Sequence, residues 1–94
     1  MATTELFADR FDMLNHFETV QDHFAKLKIF LSIVPDGFKS DKFHCWRGVM
    51  EWKENDKWCM DDCGCHNLPH DARTALIKMV IDHCIDRKID FINI

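Results

Sequence analysis

One stripe of apolar residues constrains the fold of this chain more than any other sequence feature. Its side chains follow one another at alternating spacings of four and three residues: Met13, Phe17, Val20, Phe24, Leu27, Leu31 and Val34. Such a stripe is typical of a helix that packs against another helix. Thr3 or Thr4 can cap its start, and Pro35-Asp36-Gly37 supplies a turn after it. The pattern predicts one long helix from residue 3 to about residue 33.

The N-terminal part of this predicted helix carries more apolar surface than one neighbouring helix would cover. Phe7, Phe11 and Leu14 lie beside the stripe and widen it. Large aromatic side chains are common anchors at protein–protein interfaces. We therefore expect Phe7 and Phe11 to contact a protein partner, either a helix of another protein or a second copy of this chain in a homo-oligomer.

Residues 41–54 are compatible with two structures. Trp46, Trp52 and Trp58 fall at even positions, which would suit a β-hairpin with its turn at Glu54-Asn55-Asp56. On a helical wheel, however, most apolar residues of the segment occupy one half: Phe43, Cys45, Trp46, Val49, Met50 and Trp52. In strand register these residues would be divided between two faces. The pattern favours a second helix with Ser40 as its cap, and a hairpin over residues 41–60 is the alternative.

The remaining segments predict a third helix and a tail. Pro69 suits the first turn of a helix, and residues 69–87 share one mostly apolar face: Ala72, Leu76, Met79, Val80, His83 and Cys84. Residues 88–94 lose the helical period and end apolar, which suits a short strand or an extended arm docked on the core or on a second subunit. The 94 residues therefore predict a single, mainly α, three-helix domain over 1–94, with an irregular Cys/His-rich loop at 59–68.

Cysteine and histidine are concentrated between residues 59 and 70. This segment holds potential zinc ligands at five positions: Cys59, Cys63, Cys65, His66 and His70. Thiolate and imidazole are ligands that zinc prefers, and four of them around one ion would stabilise a small domain. The expected set is Cys59, Cys63, Cys65 and His70, with His66 as a substitute.

Two other interpretations of this segment stay open. Its spacing differs from the paired C-x-x-C pattern of many zinc sites, so the cysteines also suit buried or solvated reduced thiols. A redox switch is the third interpretation, but Asp61 and Asp62 oppose the lowered thiol pKa that reactive cysteines need. The odd number of cysteines, five, argues against a disulfide framework.

Charge and composition disfavour several classes of protein. The chain has 12 basic and 16 acidic residues, a formal net charge of −4 and no net basic segment, which disfavours binding to a phosphate backbone. The longest apolar runs, of which Ile29-Phe30-Leu31 is one, are far too short to span a membrane. The N-terminus lacks the basic start and apolar run of a secretory signal. We therefore expect a cytoplasmic protein.

The sequence favours binding over catalysis. It contains no Ser-centred elbow, no glycine-rich phosphate loop and no H-E-x-x-H motif, so we do not expect an enzyme. The leading hypothesis is a protein-binding module that regulates or inhibits a larger protein. One alternative is a binder of nucleotides or single-stranded nucleic acid, in which aromatic residues of 38–58 stack on bases beside Lys39, Lys42, Arg47, Lys53 and Lys57. A second alternative is a metal- or redox-responsive switch centred on residues 59–70.

Overall fold

The part of the chain that the structure describes folds into a three-stranded antiparallel sheet with two helices, so the expected mainly α, three-helix fold is wrong. The structure, a computed structural model, describes residues 17–36 and 45–92. The strands lie in the sheet in their chain order. The elements in chain order are α1 (Phe17–Ala25), β1 (Ile29–Asp36), β2 (Cys45–Glu54), β3 (Lys57–His66) and α2 (Pro69–Asp86).

The predicted first helix is wrong beyond residue 25. Helix α1 ends at Ala25, and Lys28 takes a left-handed backbone with φ of 62° that turns the chain. From Ile29 onward the side chains alternate between a buried and an exposed side, as in a strand with one face on the core. The expected N-terminal start of this helix, with the proposed partner residues Phe7 and Phe11, lies outside the described residues.

The predicted second helix is also wrong, because residues 45–66 form the hairpin that the sequence left as an alternative. Strands β2 and β3 pair from Trp46↔His66 to Glu54↔Lys57. Asn55 and Asp56 make the turn between them, with φ values of 52° and 63°. Positive φ at both central residues is the requirement of a type I′ turn, whose twist matches that of the flanking strands.

The Cys/His-rich segment, expected to be an irregular loop at 59–68, is mostly strand β3. Its register against β2 shifts by one residue between Arg47↔Cys65 and Val49↔Asp62. Gly64 lies within this bulge with a φ of 81°, a conformation that costs glycine little. The bulge changes the direction in which the thiols around it project.

The predicted third helix is confirmed as α2, which begins at Pro69 and packs on one face of the sheet. Together with α1 it covers the core. The buried core residues come from both helices, from the side of β1 and β2 that faces the helices, and from the tail: Val20, Phe24, Ile29, Leu31, Met50, Leu76, Ile77, Val80, Ile81, Cys84 and Phe91. Neither helix in the described ranges is both long and apolar enough to cross a membrane.

The tail after α2 returns to the core. Lys88 reverses the chain with a φ of 56°, and the Ile89 amide donates to the Cys84 carbonyl at 2.9 Å. Phe91 is buried, its ring 5.8 Å from that of Phe24, and its carbonyl accepts a hydrogen bond from His23 Nε2. Of the forms expected for residues 88–94, the described part to residue 92 is an arm docked on the core and adds no strand.

Candidate functional site

Strand pairing assigns every sheet residue to one of two faces. Ile29 lies opposite Trp52, and Leu31 lies opposite Met50, on the face that packs against α1 and α2. Phe30 lies opposite Glu51 and therefore projects from the other face, because side chains alternate along a strand. We call the helix-covered side the core face and the other side the outer face.

Three large apolar side chains form an exposed cluster on the outer face, which we call the aromatic patch. Phe30 is 41% exposed, Trp58 is 61% exposed and Met60 is 70% exposed. Phe30 belongs to β1 and the other two to β3, yet the rings of Phe30 and Trp58 lie 5.9 Å apart across β2. Exposed apolar side chains that are grouped, unlike scattered ones, mark interaction surfaces.

Charged residues of both signs surround the aromatic patch. By register, Glu51 lies between Phe30 and Met60, and Lys53 lies beside Trp58. Farther along the same face, Arg47 Nη1 donates to Asp62 Oδ1 at 2.8 Å. Exposed pairs of this kind add little stability, about 0–1 kcal/mol. The outer face is therefore an apolar patch within a nearly charge-balanced border.

The structure does not bring the predicted zinc ligands together within the part of the chain that it describes. Cys63 lies on the core face, where its Sγ is 3.6 Å from the Ala72 carbonyl, and Cys65 lies on the outer face, 3.2 Å from Arg47 Nη2. His66 Nε2 bonds the Cys63 carbonyl at 3.1 Å, and His70 is exposed on the first turn of α2.

Cys59, the remaining predicted ligand, lies opposite Trp52 in the β2–β3 register. Over residues 17–36 and 45–92, no three His, Cys, Asp or Glu side chains converge in a way that would hold a metal ion. Zinc binding by residues 59–70 thus stays a prediction that elemental analysis of the purified protein can test.

Burial suppresses thiolate formation at two of the cysteines, Cys63 and Cys84. None of the five forms a disulfide. Burial raises the pKa of the Cys63 thiol, and the neighbouring Asp62 charge raises it further. Burial raises the pKa of Cys84 to about 11. Because the thiolate is the reactive form, neither Cys63 nor Cys84 has the character of a redox-active cysteine.

Sequence reasoning missed the aromatic patch. Phe30 fell inside the predicted long helix, and Trp58 and Met60 fell at the border of a predicted loop. Alternation of buried and exposed residues from Ile29 to Val34 is the signal that could have found the first of them. No family model matches this chain, and searches of curated proteins and of solved structures also found no match.

Proposed function

We propose that this protein is a small cytoplasmic protein-binding module that regulates or inhibits a larger protein, and that it binds its partner through the aromatic patch. The observation that carries this proposal is the exposure of Phe30, Trp58 and Met60 on one sheet face. Both described helices pack on the other face and leave these three side chains to solvent. Burial of exposed apolar area is the main driving force of protein association.

The patch and the net charge of the chain favour a protein partner with an apolar contact surface and a net positive charge. Tryptophan and other aromatic side chains are enriched among the residues that dominate binding energy at protein interfaces. The chain carries a formal net charge of −4, whereas the border of the patch is nearly balanced. Complementary charge on the partner would then speed association, while apolar contact supplies most of the affinity.

Trp58→Ala tests this proposal against a matched control. The wild type, Trp58→Ala and Leu68→Ala are each immobilised and exposed to extract of the source cells, and retained proteins are identified. Leu68 is also an exposed large apolar residue, but it lies outside the sheet, between β3 and α2. We expect one protein to be retained by the wild type and by Leu68→Ala and to be lost with Trp58→Ala.

Calorimetry with that purified protein then measures the affinity. We expect Trp58→Ala to weaken binding by at least about thirtyfold, because a central aromatic anchor contributes about 2 kcal/mol or more. Circular dichroism should show unchanged folding of both variants. A partner that binds Trp58→Ala as tightly as the wild type, or no partner retained by the wild type, would contradict the proposal.

A second candidate function is binding of single-stranded nucleic acid. The Phe30–Trp58 pair is an exposed aromatic platform on a sheet, with Lys53 beside it, and such platforms stack on bases. It is less favoured because Glu51 and Asp62 lie on the same face and the Arg47 side chain is paired with Asp62. Salt-dependent quenching of Trp58 fluorescence by an oligonucleotide would support this function over a protein partner.

A further inference from the structure

A cleft of about 460 Å³ lies on the core face of the molecule, on the opposite side of the sheet from the aromatic patch. One wall is α2, and the other is formed by core-face residues of β2 and β3. Met50 and Met79 provide apolar lining, and Trp52 and His83 lie beside them. This volume falls within the range of about 300–1,000 Å³ that is typical of small-molecule sites.

His83 is the first of two polar side chains that line this cleft and have no hydrogen-bonding partner among the described residues. His83 is only 6% exposed, yet no residue in the described ranges hydrogen bonds to its imidazole. The ring packs against Trp52, with ring centroids 4.6 Å apart and an edge-to-face geometry. The buried side-chain atoms without a partner do not include the ring nitrogens of His83, so these nitrogens are open to solvent and can hydrogen bond to water or to a ligand in the cleft.

Trp52 contributes the second group. Its Nε1–H is buried and has no acceptor among the residues that the structure describes. Arg87 packs on the indole, since its guanidinium carbon lies 5.4 Å from the ring centroid, and its Nε lies 3.5 Å from Glu54 Oε1. The indole is therefore held in place while its N–H stays unused.

The charges that line the cleft are mostly negative. Asp61, Asp82 and Asp86 contribute carboxylates, and Lys78 and Arg87 contribute positive charges. The Arg87 charge is already offset by Glu54, which lies outside the lining. Burial lowers the pKa of His83, so its imidazole is neutral near pH 7 and adds no positive charge. The remaining excess of carboxylates favours a cation.

We propose that this cleft binds a small organic cation that has an apolar body and a hydroxyl or carbonyl group. The apolar body would contact Met50, Met79 and the Trp52 ring. The oxygen would hydrogen bond to the unpartnered His83, whose neutral ring offers one donor and one acceptor. The positive charge would lie near Asp82 and Asp86 at the exposed edge. This site is separate from the aromatic patch, so it does not depend on the proposed function.

Phenylalaninol, an aromatic amine with one hydroxyl group, is a suitable probe. The full chain is labelled with ¹⁵N and titrated, and the indole N–H signals are followed by NMR. The chain has three tryptophans, and the variants Trp52→Phe and Trp58→Phe assign the two signals that are compared. We expect a saturable shift of the Trp52 signal and no comparable shift of the Trp58 signal. The neutral analogue 3-phenyl-1-propanol should bind at least about fivefold more weakly, as expected for loss of one charge interaction.

The charge requirement is tested by a double variant, Asp82→Asn with Asp86→Asn, and by Glu51→Gln as the control on the outer face. Both aspartates are exposed, so their replacement leaves the fold intact. We expect the double variant to weaken phenylalaninol binding at least about fivefold and the control to bind like the wild type. An unchanged Trp52 signal, equal binding of the neutral analogue, or equal shifts at Trp58 would each overturn the proposal.

Discussion

The two faces of the sheet carry similar residues in opposite environments. Met50 on the core face is 1% exposed, whereas Met60 on the outer face is 70% exposed. Trp52 packs against His83 under α2, whereas Trp58 is mostly in solvent. Residue type therefore does not tell which part of the sheet holds the fold together. Position relative to α2 does, and this separates residues needed for stability from residues available for binding.

The largest effect that tests this difference is expected from Met50→Ala. Removal of a buried methionine side chain leaves a cavity in the core, which costs about 2–5 kcal/mol of the free energy of unfolding. Met60→Ala is the matched control, because the same atoms are removed from an exposed site, and we expect a change within about 0.5 kcal/mol. Urea denaturation followed by circular dichroism measures both.

For partner binding we expect the opposite order of effects, with Met60→Ala weakening binding more than Met50→Ala. Met60→Ala is expected to weaken binding of the partner at the aromatic patch. If Met60→Ala destabilised the fold as strongly as Met50→Ala, the outer face would have to be covered by another part of the structure. The proposed role of the aromatic patch would then be wrong.

The second prediction concerns how closely α2 approaches the core face. A Cβ atom at Gly48 would lie 2.5 Å from Cys63 Sγ, 3.0 Å from Leu76 Cβ and 3.2 Å from the Ala72 carbonyl oxygen. Gly48→Ala should therefore push β2 away from α2 and cost about 1–3 kcal/mol. Thermal and urea unfolding measure this loss.

Gly64→Ala is the control for that experiment. A Cβ at Gly64 meets nothing within 4 Å, but its positive φ is strained for alanine and costs about 1 kcal/mol. Adding Cys63→Ala should recover part of the stability lost by Gly48→Ala, because the closest contact is removed. If Cys63→Ala lowered the stability of Gly48→Ala as much as it lowers that of the wild type, close packing would not be the role of Gly48.

The sequence identified α2 correctly because its evidence is local. Pro69 marks the first turn, and the predicted apolar face is the one that the structure buries, including Leu76, Val80 and Cys84. Each of these signals acts within a few residues along the chain. No distant strand has to be known for such a helix to be recognised.

The strands could not be recognised in the same way, because two periods fit the same residues. Leu31 belongs to the helical stripe and is also buried in the alternating pattern of β1. In β2, Val49 on the outer face and Met50 on the core face are both buried, so the middle strand shows no alternation. Pairing with β1 and β3 at its two edges, which no local pattern reports, decides the structure of such a strand.

The aromatic patch was missed for the same reason. Phe30 comes from β1, and Trp58 and Met60 come from β3, the two edge strands of the sheet. Only the pairing of both strands with β2 brings these side chains together. Phe30 lies far from Trp58 and Met60 in the sequence, so no local pattern connects them. Any prediction of this site therefore required the sheet register first.

A third, smaller effect is expected from the ionisation of His83 on the core face. Burial lowers its pKa below 6.5 in the folded state, and Arg87 lowers it further, against the opposing charges of Glu54, Asp86 and Asp61. The unfolded chain therefore binds a proton more readily than the folded chain between the two pKa values. The contribution of the neutral ring to stability is complete above about pH 6.5 and is lost as the pH falls toward the folded-state pKa.

Urea denaturation across this pH range measures that contribution. We expect the free energy of unfolding of the wild type to decrease more on acidification than that of His83→Gln, which lacks the titrating group. His70→Gln, a change at an exposed histidine on the same helix, is the control and should retain the pH dependence of the wild type. Identical pH profiles for the wild type and His83→Gln would show that burial of the ring does not shift its ionisation.

The smallest expected effect is a difference in alkylation rate between Cys63 and Cys65, two cysteines separated by one residue. Cys65 is exposed on the outer face, whereas Cys63 is half-buried on the core face beside α2, with a raised pKa. Because alkylation proceeds through the thiolate, iodoacetamide should label Cys65 first, Cys63 later and Cys84 only after unfolding. Mass spectrometry of peptides from the native protein measures this order.

The Gly48→Ala variant makes the comparison between Cys63 and Cys65 sharper. Displacement of α2 in this variant should accelerate labelling of Cys63 and leave the rate at Cys65 unchanged. If Cys63 in the wild type reacted as fast as Cys65, the two faces would not differ in the way that the fold requires.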